Sequence, residues 1–519
     1  MLGGKRSRYF IFFGIVCIGI SLFLANDAIQ ADEKYGNLSS TLYVGGTGAG
    51  NYSKIQHAID NASNGDTIFV YSGIYYENVV INKSISLIGE DRNTTIIDGN
   101  NSGDVVYINA NNANISNFTM RNSGNFYSGI KMYYSLFNSI HNCIISNNGK
   151  GVHLDSSSYN IISYCNIYSN NYYQGIYAEN SDNNTISYCE IYSNPYDDIM
   201  LDSADYNQIY NCNLSDSGDG IRILYSYYNE IYDCIISDND YGILPYFAEN
   251  NQIYNCNILN NTVYGVYNFY STDNVFFLNN FIGNAENVYS VNSNNLWNST
   301  QPMDYLYNGS SYTSYLGNYW DDYTGTDTNG DGIGETSYNV NGDNDYYPLV
   351  QTQENYLPLP NIVYVDDDFN SGTPGWNYTH FNKIQNGING VAENGTVYVY
   401  NGTYYENVVI NKSISLIGED RNTVIIDGNN TGDVVYVTAN NVSIRNFTIR
   451  NSGNNWRDSG IKIRSSFNHI SGCNILDCYD GIYTHFSYSS NNTISSCNIY
   501  LNNIGIELVY FSDYNNISY

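Results

Sequence analysis

The cysteines of this chain recur at a nearly constant spacing. Eight of the ten cysteines each lie in a segment of the form N-x-I-x-x-C-x-[IL]. The first six are separated by 22, 24, 23, 22 and 22 residues, and two more near the C-terminus are 24 residues apart. A unit repeated at such a period indicates a stack of identical supersecondary elements. The positions are Cys143, Cys165, Cys189, Cys212, Cys234, Cys256, Cys473 and Cys497.

One period of this repeat predicts short strands joined by corners. Cys189 and Ile191 are two residues apart, as in a strand, whereas Ile186 and Cys189 are three apart, which breaks the alternation at a corner. Gly and Asn mark the other corners. At about 3.3 Å per residue, one period suits one turn of a three-sided coil. We therefore expect an all-β fold, a parallel β-helix in which each coil buries its edge against the next.

A longer duplication is superimposed on the short period. The segment YYENVVINKSISLIGEDRNT at 75–94 recurs unchanged at 404–423. Each copy follows a segment with helical apolar spacing, at 53–66 and 380–395, which we expect to form a short helix that covers the open end of a solenoid. The sequence thus predicts these regions: 1–31 signal peptide or N-terminal anchor; 40–300 first β-helix module; 301–350 C-terminal cap with a calcium loop; 351–361 linker; 362–519 second β-helix module, apparently truncated.

The repeat units resemble the parallel β-helix repeats of the NosD-like family, within the wider group of carbohydrate-binding and sugar-hydrolase β-helix domains. The resemblance implies a right-handed, pectate-lyase-like β-helix and an exported protein of the archaeal surface-protein type. By family name it also implies copper delivery in the periplasm. The residues do not favour that role, because Met totals five, His six, and no cluster of soft ligands is visible.

The N-terminus and the net charge indicate export and limit the partners. Lys5, Arg6 and Arg8 precede an apolar run over 9–25, and small residues end at Ala31, as in a signal peptide or an uncleaved anchor. We expect an extracellular or cell-surface location. The net charge of −31 disfavours nucleic acid. Many Asn-x-Ser/Thr sequons, such as that of Asn51, suit a glycoprotein but also arise by chance in an Asn-rich chain.

The repeated cysteines are predicted to form a structural ladder in the interior. Strands about 4.8 Å apart hold in-register side chains too far apart for a relaxed disulfide. Zinc sites usually use C-x₂₋₄-C pairs, and a nucleophilic cysteine would be unique. Free cysteine packs as a small hydrophobe. Occasional disulfides in an oxidising compartment and metal binding remain open alternatives.

The segment DTNGDGIGE is the strongest local motif for a metal. Asp327, Asn329 and Asp331 alternate, Gly332 permits a tight turn, and Glu335 follows. Oxygen ligands at alternate positions suit Ca²⁺, and the segment resembles thrombospondin type 3 calcium loops. We expect a structural calcium ion in the C-terminal cap, with an acidic solvated turn as the alternative. The nearby acids that can add ligands are Asp321, Asp322, Asp343 and Asp345.

Outward-facing tyrosines form a second ladder. Tyr210, Tyr232 and Tyr254 each follow a ladder isoleucine by one residue and are spaced by one coil. Aromatic faces suit sugar rings, so these residues are candidates for carbohydrate binding. The alternative is a stacking ladder that stabilises the sheet.

No catalytic set can be assigned from the sequence. The G-H-G and R-x-K motifs of polygalacturonases and the later motifs of pectinesterases are absent. Arg222 and the scattered acids Asp155, Asp197, Asp198, Asp216 and Asp219 form only a diffuse candidate. His153, like the other candidate histidines of the chain, is predicted to be a surface or turn histidine. We therefore expect a structural or carbohydrate-binding surface protein whose partners are a polysaccharide, a glycan or a cell-surface protein. A polysaccharide lyase, hydrolase or epimerase is the alternative.

Overall fold

The computed structural model describes residues 39–484, 489–509 and 512–518. The predicted signal or anchor at 1–31 lies outside these residues. Within the described ranges, no helix is both long enough and apolar enough to cross a membrane.

The chain folds as a parallel β-solenoid, which confirms the architecture predicted from the short period. Each coil contributes one strand to each of three sheets, and neighbouring strands within a sheet are parallel. In-register pairing follows the repeat, so that Ile140 pairs with Ile162 and Ile162 with Ile186. We call the twelve-, eleven- and ten-stranded sheets of this first stack sheets A, B and C.

The strands of sheet A are Thr41–Val44, Thr67–Val70, Ser86–Gly89, Asn114–Ser116, Ser139–His141, Ile161–Ser163, Thr185–Ser187, Gln208–Tyr210, Glu230–Tyr232, Gln252–Tyr254, Thr272–Phe277 and Asn294–Leu296. Those of sheet B are Gly73–Tyr76, Thr95–Asp98, Thr119–Arg121, Ile144–Ser146, Asn166–Tyr168, Glu190–Tyr192, Asn213–Ser215, Ile235–Ser237, Asn257–Leu259, Asn280–Ile282 and Tyr319–Trp320. Those of sheet C are Val79–Ile81, Val106–Ile108, Ser128–Tyr133, Lys150–Asp155, Ile176–Glu179, Asp197–Asp202, Asp219–Leu224, Tyr241–Tyr246, Tyr264–Phe269 and Val288–Val291.

A second stack contains sheets D, E and F, with eight, five and five strands. Sheet D contains Ile362–Val365, His380–Phe381, Thr396–Val399, Ser415–Gly418, Ser443–Arg445, His469–Ser471, Thr493–Ser495 and Asn516–Ser518. Sheet E contains Gly402–Tyr405, Val424–Asp427, Thr448–Arg450, Asn474–Leu476 and Asn498–Tyr500. Sheet F contains Val408–Ile410, Val435–Val437, Ser459–Ile463, Asp480–Thr484 and Ile504–Leu508.

Small antiparallel elements lie between the two stacks in sequence. A three-stranded sheet joins Met303–Tyr307, Ser310–Ser314 and Leu357–Pro358, and a hairpin joins Tyr338–Val340 to Asp343–Asp345. A 3₁₀ turn spans Gln353–Asn355. Buried side chains of this region, among them Tyr305, Leu316 and Leu349, form a separate small core.

The ladder cysteines lie at a corner of each coil, and all eight are free thiols. Seven are buried and Cys497 is half-buried. The residue before each cysteine has a positive φ, for example Tyr188 at 54° and Asn211 at 53°, which places the turn where the alternation breaks. Each thiol donates to the carbonyl two residues earlier, as Cys189 Sγ does to Ser187 O at 3.3 Å.

Asparagine ladders run through the interior beside the apolar rows. Asn229 Oδ1 accepts from the backbone N–H of Asn207 at 2.7 Å, and Asn229 Nδ2 donates to Asn251 Oδ1 at 2.9 Å. All three residues are buried. The asparagines therefore satisfy the corner backbone groups of neighbouring coils, which must have partners once they are buried.

Two short helices form where the apolar spacing predicts them. We call them α1 (Ile55–Asn61) and α2 (Ile384–Gly390). The repeated segment stabilises both ends of α1, because the Glu77 carboxylate accepts from Ile55 N and Gln56 N and the Lys83 ammonium donates to Ile59 O, Asp60 O and Ala62 O. In α2, Glu406 and Lys412 make the equivalent bonds. These contacts give the duplicated segment a structural role, because its acid and its lysine stabilise the two ends of the helix. We still only predict that the helices cover the end of a solenoid.

Candidate functional site

The predicted calcium loop is a network of internal hydrogen bonds. The Asp327 carboxylate accepts from Gly330 N at 2.7 Å and from Gly332 N at 2.8 Å, and Asp331 Oδ1 accepts from Ile333 N at 2.8 Å. Asn329 Nδ2 donates to Asp331 Oδ2, and Glu335 Oε1 accepts from the Thr328 hydroxyl at 2.6 Å. Asn329 and Glu335 are exposed, whereas Asp327 and Asp331 are half-buried. The loop oxygens already accept local donors, so a cation would have to compete with these bonds.

The four nearby acids hold the cap to the last coils. Asp345 is fully buried and accepts from Asn318 N and from the Trp320 indole N–H at 2.9 Å. Asp321 and Asp322 both accept from Asn287 Nδ2, and Asp343 accepts from Asn295 N. Asp321 and Asp322 share the Asn287 amide, and Asp343 and Asp345 bind other residues of the last coils and the cap, so these hydrogen bonds lead away from the loop.

The three predicted tyrosines stack on one another along sheet A. The ring centroids of Tyr210 and Tyr232 are 5.0 Å apart, and those of Tyr232 and Tyr254 are 5.1 Å apart, with nearly parallel planes. Phe277 continues the row at 5.0 Å. Both faces of the central rings are therefore covered by neighbours, and only their edges and hydroxyls remain for a ligand.

Sheet C brings together charged side chains that are far apart in sequence. We call this group the polar face, and it comprises Lys131, Lys150, His153, Asp155, Tyr177, Glu179 and Asp202. Parallel register places Lys131, His153 and Tyr177 side by side on consecutive coils. It places Asp155, Glu179 and Asp202 in the next outward row. Sheet C thus has a continuous polar strip on its outer side.

The polar face is tightly interconnected. Lys131 Nζ lies 3.0 Å from Asp155 Oδ2, and His153 Nε2 lies 3.3 Å from Glu179 Oε2. The His153 ring stacks on Tyr177 at 5.0 Å, and the Tyr177 hydroxyl donates to Asp202 Oδ2 at 3.1 Å. Only 6% of His153 is exposed, so its prediction as a surface or turn histidine is wrong: it lies on a strand, and its neighbours on sheet C cover it.

Burial and like charges alter the ionisation of this group. Burial, with the nearby Lys150 and Lys131, lowers the pKa of His153 to about 3, so the ring is neutral at physiological pH. Burial also raises the pKa of Glu179, and Asp155 and Asp202 add to that effect. The pKa of Lys150 is lowered by burial and by Lys131.

Lys150 is distinguished by its surroundings. Its ammonium lies 5.1 Å from the centre of the Tyr173 ring and 5.3 Å from that of Tyr177. Within the described part of the chain, Lys150 Nζ makes no ion pair with a carboxylate. Aromatic faces hold the cation through their quadrupoles, and its N–H donors remain available to a ligand.

Aromatic side chains border the polar face. Phe126 lies 6.3 Å from Tyr173, and Tyr173 lies 6.4 Å from Tyr196, measured between ring centroids. We call these three rings the aromatic row. Phe126 is 74% exposed and Tyr196 is also exposed. The row lies in the corners that precede the long strands of sheet C, so flat apolar surfaces stand next to the polar face.

Arg222 forms a separate clamp further along sheet C. Its guanidinium contacts Asp197 Oδ1 at 3.1 Å and Asp219 Oδ2 at 2.6 Å. Burial raises the pKa of Asp197 to about 7, Arg222 opposes this shift, and Asp219 reinforces it. The structure thus joins three residues that the sequence could place only as a diffuse candidate.

One group on this face has the residue types of a metal site. Ligand atoms of His153, Asp155 and Glu179 lie within 4.8 Å of one another. The group does not fit copper, because it has a single imidazole and two hard carboxylates. Asp155 is already paired with Lys131, and the ammonium of Lys150 lies nearby. The thiols do not fit either, since the ladder is interior.

Sequence reasoning missed the polar face because its members are ordinary residues taken singly. The signal is a short element that recurs in the coils, in which a glycine is followed by Ile or Val, then by a variable residue and then by an apolar residue. Its variable third position is occupied by Lys131, His153, Tyr177 and Arg222. Aligning the coils on that position would have placed these side chains in one outward row.

Fold and site together define a parallel β-solenoid protein with a polar and aromatic face on one sheet. The chain belongs to the NosD family, described as periplasmic copper-binding protein, whose family model matches residues 59–233 and 214–325, just over half of the chain.

Several enzymes share parts of this architecture. A probable pectinesterase/pectinesterase inhibitor 6 of Arabidopsis thaliana is 29% identical over 141 residues, and the chain spans only 25% of that protein's length. The match covers 23% of this chain. The pectate lyase Pel9A structure is 17% identical, with a TM-score of 0.39 over 49% of this chain and 78% of that one. An alginate lyase from Paenibacillus sp. str. FPU-7 is 17% identical, with a TM-score of 0.35 over 49% and 99%.

Proposed function

We propose that this chain is an exported β-solenoid protein that binds a neutral polysaccharide along the outer side of sheet C. The observation that carries this proposal is the exposed aromatic row beside the polar face, where Lys150 makes no ion pair with a carboxylate of the described residues. The NosD family description as periplasmic supports export. A cell-surface protein partner is the alternative occupant of the same face.

The chemistry of the face suits a polyhydroxylated ligand. Sugar hydroxyls both donate and accept, and the polar face offers ammonium and phenol donors next to carboxylate acceptors. Exposed rings such as Phe126 provide flat apolar surface for the C–H face of a pyranose. The net charge of −31 repels polyanions at long range, which favours a neutral chain over a polyuronate.

Affinity electrophoresis of the full chain tests this proposal. We expect retardation in gels that contain xylan, laminarin or mannan, and little in gels that contain polygalacturonate or alginate. Lys150→Met and Phe126→Ala should each weaken binding roughly tenfold, equivalent to about 1.4 kcal/mol, because a donor and a stacking surface are lost. The control is Lys54→Met, at an exposed lysine beside α1. Unchanged binding by both face variants, or binding of polyuronates alone, would contradict the proposal.

A catalytic role on polysaccharide is the second candidate. It is favoured by Asp197, whose pKa of about 7 beside Asp219 suits general acid–base chemistry at neutral pH. Arg222 pairs with both acids and limits access to them, so binding is the better-supported function. Release of reducing or unsaturated ends in the same incubations, lost in Asp197→Asn, would establish the enzyme in place of the binding protein.

We also propose a structural calcium ion in the cap loop, held by Asp327, Asn329, Asp331 and Glu335. The support is the alternating oxygen ligands and the tight turns at Gly330 and Gly332, with φ of 82° and 87°. Calcium should raise the melting temperature, and EGTA should lower it by several degrees. Asp331→Ala should abolish the difference, whereas Asp304→Ala outside the loop should preserve it. Identical melting temperatures with calcium and with EGTA would contradict the proposal of a structural calcium ion.

A further inference from the structure

The second stack carries a face that corresponds to the polar face of sheet C. On sheet F, parallel register places Tyr436, Lys462, Tyr483 and Glu507 side by side on consecutive coils. On sheet C the row Tyr107, Lys131, His153 and Tyr177 has the same register. The duplication therefore repeats the coils themselves. It also repeats an outward row of side chains with a lysine at the same position.

The acid that precedes this row is also repeated. Asp104 Oδ1 accepts from Ser128 N at 2.7 Å, and Asp433 Oδ1 accepts from Ser459 N at 3.0 Å. In the second stack Asp433 also binds the lysine directly, with Lys462 Nζ 3.0 Å from Asp433 Oδ2. In the first stack Lys131 pairs instead with Asp155. Both lysines are thus oriented by a carboxylate on a neighbouring coil.

An exposed aromatic residue stands at the same corner in both stacks. Phe126 precedes the strand Ser128–Tyr133, and Trp456 precedes the strand Ser459–Ile463. Trp456 is 66% exposed, and its corner is two residues longer than that of Phe126. The Arg457 guanidinium lies 3.7 Å from the centre of the Trp456 ring, which fixes the ring beside the row.

A buried acid adds a feature that the first stack lacks at this position. Asp480 occupies the position that Lys150 holds on sheet C, since it pairs with Ser459 as Lys150 pairs with Ser128. It is fully buried, and neither carboxylate oxygen has a hydrogen-bond partner among the described residues. Burial and Glu507 raise its pKa to about 6. A buried acid thus replaces the half-buried lysine of the first stack, so the two faces differ in charge at this position.

We propose that sheet F bears a second sugar-binding site, formed by Trp456, Arg457, Lys462 and Asp433, so that one chain holds two polysaccharide segments. The inference rests on the function proposed for sheet C and extends it. Trp456 supplies the stacking surface, while Lys462 and Asp433 supply hydrogen bonds. Linking two sites on one chain raises the apparent affinity for a long polymer above that of either site alone.

Trp456 provides a readout specific to this site. The chain has four tryptophans, of which Trp297 and Trp320 are fully buried and Trp376 is half-buried. We expect hexasaccharides of xylan, laminarin or mannan to change the tryptophan fluorescence, and Trp456→Phe to lose that signal while retaining calorimetric binding. Calorimetry should give two sites per chain. Trp456→Ala should leave one site, and Lys150→Met should leave the fluorescence change intact.

The outcomes separate the two proposals. A single site abolished by Lys150→Met, with no response from Trp456, would overturn the second site and leave the first standing. A single site that responds through Trp456 and is unaffected by Lys150→Met would place binding on sheet F alone and overturn the function proposed for sheet C. Absence of binding for every neutral hexasaccharide and its parent polymer would overturn both.

Discussion

Replacing Gly151 by valine is expected to destabilise the central coils by about 3 kcal/mol or more, because the interior has no room for a side chain there. A Cβ atom at this position would lie 2.3 Å from Gly175 O, 2.6 Å from Ile167 Cγ2 and 2.9 Å from Asn170 Nδ2. All three of these neighbours belong to the next coil. The backbone of that coil would have to move, and the ladder hydrogen bonds beside it would be strained.

One coil of the protein has a side chain at the position that corresponds to Gly151, and it shows what such a side chain requires. Asp198 occupies the position that is glycine in the neighbouring coils, at Gly175 and Gly220. There the asparagine ladder is interrupted by Ser217, whose shorter side chain donates to Asp198 Oδ1 at 2.6 Å. The coil that follows Gly151 has the longer Asn170 at the corresponding ladder position, which leaves no space for a side chain at Gly151.

Gly505→Val is the matched control. Gly505 holds the equivalent position in the second stack, but among the described residues a Cβ atom there would meet only Ile499 Cγ2, at 3.9 Å. Denaturant unfolding and amide exchange of 150–155 and 176–179 would measure both variants. Equal, small effects of the two substitutions would show that close packing at Gly151 does not limit stability.

Asn229→Leu is expected to cost about 3 kcal/mol, although leucine is apolar and of similar length. The substitution removes the oxygen that accepts from Asn207 N and Asn207 Nδ2, and the donor to Asn251 Oδ1. Each buried polar group left without a partner costs about 1–3 kcal/mol, which exceeds the gain from burying the leucine side chain. The lost bonds join consecutive coils, so exchange protection should fall on both sides of the site.

Asn171→Leu serves as the reference, because Asn171 is exposed and outside the ladder. It should change the free energy of unfolding by less than about 0.5 kcal/mol. If Asn229→Leu were as mild as Asn171→Leu, the asparagine ladder would be incidental to the fold.

The repeat period predicted the solenoid because coil length and corner position are local properties of the sequence. The three-residue step from Ile186 to Cys189 marked the corner that the structure places at Tyr188. The asparagine ladders were harder to predict. Asn229 looks like a solvated corner residue, and its burial follows only when neighbouring coils stack and leave backbone groups without water.

The candidate site was not predictable in the same way. Lys131, His153 and Tyr177 are more than 20 residues apart in the chain and become neighbours only through parallel register. The tyrosine ladder at Tyr210, Tyr232 and Tyr254 was visible because identical residues repeat. A functional face made of different residues on successive coils leaves no repeated letter to find.

Hydroxyl-radical footprinting of the full chain, with and without the neutral polysaccharide that retards it most, tests the central claim most directly. We predict protection of Phe126, Tyr173 and Tyr196, and no change at Tyr210, Tyr232 and Tyr254. Protection of the sheet A tyrosines, with Phe126 and Tyr196 as reactive as before, would contradict the assignment of sheet C as the binding face.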